Sequence, residues 1–475
     1  EIRGMLLHSN RPRAVNMIAL QAFMGVGFVT SPDTMFEGVR KLPPAHYLVA
    51  KNGQITTRGY WSLSYQAAPA RSEQEIMEEF YNLLNDSVIM RLMSEVPLGA
   101  LLSGGIDSTT LAALMQQATA ASVKTVSIGF EVGEDDETDK IMVNAAALKT
   151  DHHHTNFTGH SLDEYPKALY YMEEPLADAV FTTFYNLYRV CREAGLTVVL
   201  NGEGADELLG GYFWHRGEAW AAPFLNLPYP LRAVVAQSPF VRRRGEAGVR
   251  MGALLRAAPR EVHRRYQTWL SIGDQSTGQG LLSADVRAEL TRQNQQPLLD
   301  GWADYAATVT DPSDFHQMLW LQSRTRMIDR SNHMVDRMSM AHSVEARVPF
   351  LDHKLWEFCA GLPPNLKLNG SFFDLTEKYL LREATKNIIP EATRTRKKQG
   401  LSAPYGEWLA QPRLPEWAET ALSKEQLRKT GLFDPEAVQN LRQAHQSGVF
   451  DQATMLMGVL SMQTWAHIFL ETPLA

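Results

Sequence analysis

The sequence predicts an α/β fold: a parallel sheet covered by helices on both faces, with a large helical portion after it. Three observations predict it. Strand-like runs alternate with helix-like stretches between residues 96 and 200, two loops rich in glycine and polar groups follow directly on such strands, and the text from about 215 to 475 keeps helical periodicity.

Residues 1–65 read differently. Short β-rich pieces are punctuated by Gly and Pro: residues 24–28, the turn Ser31-Pro32-Asp33, residues 42–49, and Lys51-Asn52-Gly53 leading into Gln54-Ile55-Thr56. They predict hairpins of a larger β domain, because about 65 residues bury too little surface to stand alone. Residues 64–70 read as a linker. A helix follows in which Ile76, Phe80, Leu83, Leu84, Val88 and Leu92 keep one face. Then come a strand over 96–102, a strand over 125–130, a helix over 138–148, a short strand near His153, a helix over 183–193 and a strand over 196–200. Alternation at this pitch places ligands outside the carboxyl ends of parallel strands.

Composition narrows the function. The 475 residues carry 46 basic and 53 acidic side chains, a net charge of −7, which favours neither nucleic acid nor an anionic membrane as partner. Hydrophobic content of 44% with mean hydropathy −0.25 is that of a chain with a real core. No uninterrupted apolar run approaches the roughly 18 residues of a membrane span, and the start lacks the pattern of a secretory signal; a cytosolic protein is expected. Cys191 and Cys359, in helical apolar contexts, predict buried thiols rather than a disulfide or metal cluster. The run Arg242-Arg243-Arg244, continued by Arg250, Arg256, Arg260, Arg264 and Arg265, reads as a solvated helical face.

The chemistry begins at Ser103-Gly104-Gly105-Ile106-Asp107-Ser108, which separates a strand from a helix start. Two glycines allow close backbone approach, two serines add donors, and the opening amides of a helix attract phosphate. No Gly-Lys-Ser/Thr follows, so this is not the loop of the common nucleotide triphosphatases. Asp107 stands in place of the lysine, and a carboxylate among phosphates implies an intervening divalent cation. The pattern resembles the pyrophosphate loop of enzymes that cleave ATP between the α- and β-phosphates.

A second segment, Asn201-Gly202-Glu203-Gly204-Ala205-Asp206-Glu207 followed by Gly210-Gly211-Tyr212, opens where the strand at 196–200 ends. Three acids in five residues are costly in a cleft unless a cation balances them. A basic loop, Arg394-Thr395-Arg396-Lys397-Lys398-Gln399-Gly400-Leu401, supplies the complement.

Together with residues 336–352 and Lys378-Tyr379-Leu380-Leu381-Arg382, these segments are similar to those of the asparagine synthetase family of glutamine-dependent amidotransferases, over nearly the whole chain. The resemblance implies an adenine nucleotide α-hydrolase-like, pyrophosphate-loop synthetase domain over 66–475. Before it, over 1–65, it implies the C-terminal remnant of a glutaminase domain of the N-terminal-nucleophile type, for which Phe36 to Pro44 is the matching stretch. It implies adenylation of the side-chain carboxylate of aspartate and displacement of AMP by ammonia, with ATP and Mg²⁺ as cofactors. By the same implication Leu102, Ile128 and Gly202 contact adenosine, with Asn201 beside them; Ser103, Gly104, Gly105 and Ser108 hold pyrophosphate; Asp107 and Asp206 ligate Mg²⁺. Glu203 acts as general base on ammonia, and Lys398 places positive charge on the departing phosphates and the developing oxyanion.

The chain also departs from the pattern. Asn201 stands where serine is usual, a change that keeps a hydrogen-bond donor, while Met334 where lysine is frequent and Leu401 where phenylalanine is frequent leave the pocket's polarity and the acceptor open. The family's cysteine nucleophile is not in the sequence, which begins at Glu1; glutamine hydrolysis is not expected of this chain as it stands, and free ammonia serves as donor. A sibling reading amidates a sugar acid or a peptide carboxylate, as lactam synthetases and lasso-peptide cyclases close a carboxylate on an internal amine. A tRNA sulfurtransferase is disfavoured by the cysteines and the charge, and a non-catalytic subunit by the presence of Asp107, Glu203, Asp206 and Lys398. Expected partners are aspartate and ammonia or glutamine, and a homodimer is the assembly the resemblance allows.

Overall fold

Two helices, α1 (Ile2–His8) and α2 (Met17–Val26), and a hairpin of β1 (His46–Lys51) with β2 (Gln54–Gly59) open the chain. The computed structural model describes residues 1–8, 13–65, 71–130, 138–157, 163–243, 245–273, 275–293, 301–305, 309, 313–372, 374–397, 405–448 and 452–471. Asn16 caps α2 by accepting from the Ile18 and Ala19 amides, and Gly27 at φ 83° ends it. The extended piece expected over 24–28 is therefore mostly helix. Its apolar residues fill one buried face, with Leu20, Phe23 and Met24 in the same core as helices from the far end of the chain. A β-rich beginning is corrected to a mixed one. The turn at Asn52-Gly53 does form a hairpin, with both residues at positive φ as a two-residue turn of primed type requires. Tyr47, Leu48, Val49 and Ile55 on this ribbon are exposed.

Helix α3 (Glu73–Met90) starts with a reciprocal cap between Ser72 and Glu75 and buries Ile76, Phe80, Leu84 and Val88. Beyond it the chain alternates: β3 (Leu98–Leu101), α4 (Ile106–Ala118), β4 (Lys124–Phe130), α5 (Thr138–Leu148), β5 (Asp151–Phe157), α6 (Tyr165–Met172), α7 (Val180–Glu193), β6 (Val198–Leu200) and α8 (Ala205–Leu209). The expected bounds of α5 coincide with the observed ones, while α6 and β7 (Glu345–Arg347) were not anticipated. Every pairing in the five-stranded sheet is parallel, in the order β5-β4-β3-β6-β7. Ala100 and Leu200 face a core shared with α3 and α4; Leu101, Val126 and Val199 face one shared with α7. Burial on both faces explains why these strands are apolar runs.

From Phe213 onward the described residues are helical apart from short pieces, chiefly β7 and a hairpin of β8 (Leu368–Ser371) and β9 (Asp374–Glu377). The helical stretch Ala453–Glu471 is long and apolar enough to cross a membrane, yet 78% of its apolar window is buried inside the fold, where it serves as a core helix. Cys191 and Cys359 are buried free thiols, and burial pushes both up to about 12. The arginine run is not simply a solvated face. Arg265 is buried and donates to Glu218, Asp314 and the Arg260 carbonyl, because a charge at that depth must be paired.

Candidate active site

In a parallel sheet with strands leaving the centre in both directions, the loops diverge where the order reverses and leave a crevice between them. Here the reversal lies at neighbouring β3 and β6. The 103–108 loop leaves β3 and the 201–207 turn leaves β6, so both predicted loops border one cleft of about 750 Å³.

On the first loop, the Ser103 and Ser108 hydroxyls lie 2.9 Å apart, and Ser108 Oγ also accepts from the Ser103 amide at 3.0 Å. The turn is thereby closed by its own side chains. Gly105 is the N-cap of α4 and offers no side chain, so the helix opens on backbone amides. A buried chain fixes α4 from behind: Asn144 donates to Thr109, and Thr393 donates to Asn144. Arg396, just before the predicted Lys398, donates to the Gly104 carbonyl at 2.7 Å.

On the second loop, Gly204 at φ 96° turns the chain into α8. A Cβ on Gly202 would press on Asp107 Cβ at 3.1 Å, which shows how closely the two loops pack. Asn201 is buried and occupied within the fold, donating to the Tyr188 hydroxyl and accepting from the Glu203 amide. The three acids part company. Glu207 points inward, accepts from the Tyr212 hydroxyl at 2.8 Å and lies 3.5 Å from Arg326, whereas Glu203 and Asp206 line the cleft.

Asp107 and Asp206 meet at one cation, the buried ammonium of Lys378, at 2.5 Å and 2.7 Å. Burial works against that charge, and the two carboxylates more than reverse the effect, holding the ammonium above the ordinary lysine pKa. Lys378 is itself in the left-handed region, φ 55°, between β9 and the next helix. Gly211 completes the cradle, since a Cβ there would drive into Asp206 Oδ1 and Lys378 Cε. The donor set fits a hard divalent cation: two carboxylates converge on a point already favourable to positive charge, beside amides suited to phosphate.

Another part of the cleft lining is helical and aromatic. Residues Met327–Asn332 form a π-helical turn, a feature frequent at functional sites. Its Asp329 reaches away to accept from the Ser31 amide at 2.7 Å and from Lys41 at 3.3 Å, while the next residue, Arg330, lines the cleft in an ion pair with Asp178. Arg326 lies over the stacked rings of Tyr212 and Trp214.

Residues 79–467 match the asparagine synthase family. The chain belongs to that family. With membership comes the reaction class, ATP-dependent amidation by a carbon–nitrogen ligase. It is similar to asparagine synthetase [glutamine-hydrolyzing] 1 of Bacillus subtilis, 30% identical over 99% of this chain and 71% of that protein. It is similar also to a putative asparagine synthetase [glutamine-hydrolyzing] of Mycobacterium bovis, 31% identical over 95% and 68%. A third relative, amidase chry2 of Gibberella zeae, is 27% identical over 86% of this chain and 64% of its own length.

In this synthase-family chain the 102–108 segment, Ile128, residues 201–203 and Asp206 all border the one cleft, whereas Lys398 lies outside the described residues; its neighbours Arg396 and Lys397 line the same cleft. Met334, singled out as a departure, is 3% exposed and lines it too. Sequence reading did not single out Lys378, Arg330, Asp178 or Arg326. The only signal for Lys378 was its place in the Lys378–Arg382 segment, and it sits 271 positions from Asp107.

Proposed function

We propose that this chain adenylates the side-chain carboxylate of aspartate with ATP, releases pyrophosphate, and lets ammonia, free or drawn from glutamine, displace AMP to give asparagine. One observation carries the reading: the phosphate-type turn and the acidic turn, about a hundred residues apart, close on a shared cation position. The α4 amides with Ser103 and Ser108 hold the phosphates, and Leu102, Ile128 and Gly202 form the wall against adenosine. Asp107 and Asp206 hold Mg²⁺, which when bound offsets phosphate charge and makes pyrophosphate a better leaving group.

The remaining work falls to side chains. Arg330 and Asp178 present opposite charges to the α-carboxylate and α-ammonium of an amino acid, turning its side-chain carboxylate toward the phosphates. Glu203, bordering the cleft from the acidic turn, takes the proton that ammonia sheds as it attacks the acyl group. Lys398, next to the cleft-lining pair Arg396 and Lys397, offsets charge on pyrophosphate and on the tetrahedral oxyanion. Apolar walls that include Met334 and Phe184 keep water from the acyl adenylate.

The test is an assay of AMP, pyrophosphate and amide with ammonium and one acceptor at a time: aspartate, other amino acids, sugar acids and a carboxylate-bearing peptide. Aspartate-dependent asparagine formation is expected. Turnover with a sugar acid or peptide and none with aspartate would reject the acceptor while keeping the adenylation. No AMP with any acceptor would reject both.

A further inference from the structure

Lys378 is 2% exposed, and its ammonium bridges both carboxylates of the acidic pair. A lysine so placed does more than balance charge, because it occupies the point that a divalent cation would take. Resting on the reading of Asp107 and Asp206 as the metal pair, we infer that Lys378 is a resident counter-cation which blocks metal binding by the nucleotide-free protein and yields its place only to a metal that arrives with the nucleotide.

The physical reason lies in what each exchange leaves behind. A metal ion entering alone would evict a buried ammonium and give it no new anion, and a buried charge without a partner is strongly disfavoured. A metal ion entering with a triphosphate brings several anionic oxygens into the same cleft, so the displaced ammonium finds another partner as it leaves. The cradle is shaped around this lysine. Its backbone takes a left-handed conformation that ordinary side chains avoid, and Gly211 leaves room where any side chain would strike Asp206 and the lysine stem. The order of events follows: nucleotide and metal bind together, and metal alone is refused.

Mn²⁺ serves as the probe, its free concentration followed by electron paramagnetic resonance, with and without a non-hydrolysable ATP analogue. Wild-type protein should bind Mn²⁺ weakly alone and tightly with the analogue. Lys378→Met should gain at least tenfold in affinity for Mn²⁺ alone, Lys378→Arg should not, and adding Asp107→Asn to the methionine variant should abolish the gain. Thermal melting checks each variant, and Lys378→Gln replaces the methionine variant should that one not fold. Wild-type protein binding Mn²⁺ alone as tightly as either neutral variant would overturn the inference. Failure of wild-type protein to bind Mn²⁺ even with the analogue would instead overturn the underlying metal assignment.

Discussion

One part of the cleft is lined by two short loops, 103–108 and 201–206, each leaving the end of a central strand, with Lys378 reaching in from beyond β9. In a second part Asp178 comes from just before α7, Tyr212 from just after α8, and Arg326 with Arg330 from one helical stretch, all held by one another's charges and rings. In the first region glycine-dependent turns, which cannot vary without losing their shape, set the positions of the Asp107 and Asp206 carboxylates. The second relies on side chains paired across elements, where a change of partner retunes the site without disturbing the sheet. The proposed function assigns ATP to the first, fixed end and the acceptor to the second, adjustable end.

That division can be broken most forcefully at the fixed end. Asp107→Asn should lower pyrophosphate release by about a hundredfold or more, since a metal's electrostatic contribution amounts to several kcal/mol; near-normal Mg²⁺-dependent release would remove Asp107 from the metal position. Next in size, Glu203→Gln should keep aspartate-dependent exchange of pyrophosphate into ATP while amide formation falls by roughly 10²–10⁴. Equal loss in both assays would mean that Glu203 serves adenylation, not the ammonia step.

At the adjustable end, Arg330→Met should raise the KM for the acceptor by about tenfold or more with a smaller change in kcat, the mark of lost ground-state binding. An unchanged KM would make the Arg330–Asp178 pair purely structural. The smallest effect belongs to the support behind that end. Burial pushes Glu174 up to about 7 against the opposing pull of Lys41 and the Met35 amide, with Asp329 and Glu173 adding to the rise. A carboxyl raised in the folded state stabilises below its ordinary value near 4.5, and that contribution is lost as pH climbs through about 7. Glu174→Gln should therefore flatten the decline in stability between those values and add about 1–3 kcal/mol at pH 8, read by denaturant melts. A variant with the wild-type slope would place the pH dependence elsewhere.

The same contrast explains what could be read from sequence. Strands β3, β4 and β6 announced themselves as apolar runs because both their faces are buried, and the glycine loops after them follow from local chain geometry. That the loops after β3 and β6 would border one cleft was legible for that reason. β7 is three residues, Glu345-Ala346-Arg347, too short and too polar to carry a pattern. In α2, nearby Gly and Pro suggested turns, while tertiary burial of Leu20, Phe23 and Met24 made a helix. Lys378 and Arg330 acquire their meaning only from neighbours far away in the chain, and no local spacing encodes that. Arg265 taught the converse lesson, since a basic run gave no hint that one member would be interior.

The β1–β2 ribbon bears on how the chain behaves in a test tube. Two strands that, among the described residues, pair only with each other, and that carry exposed Tyr47, Leu48, Val49 and Ile55, offer a template on which other copies can dock by strand addition. Concentrated preparations of the isolated chain will begin to clump there, and a lysine at position 48 or 55 is the first remedy to try.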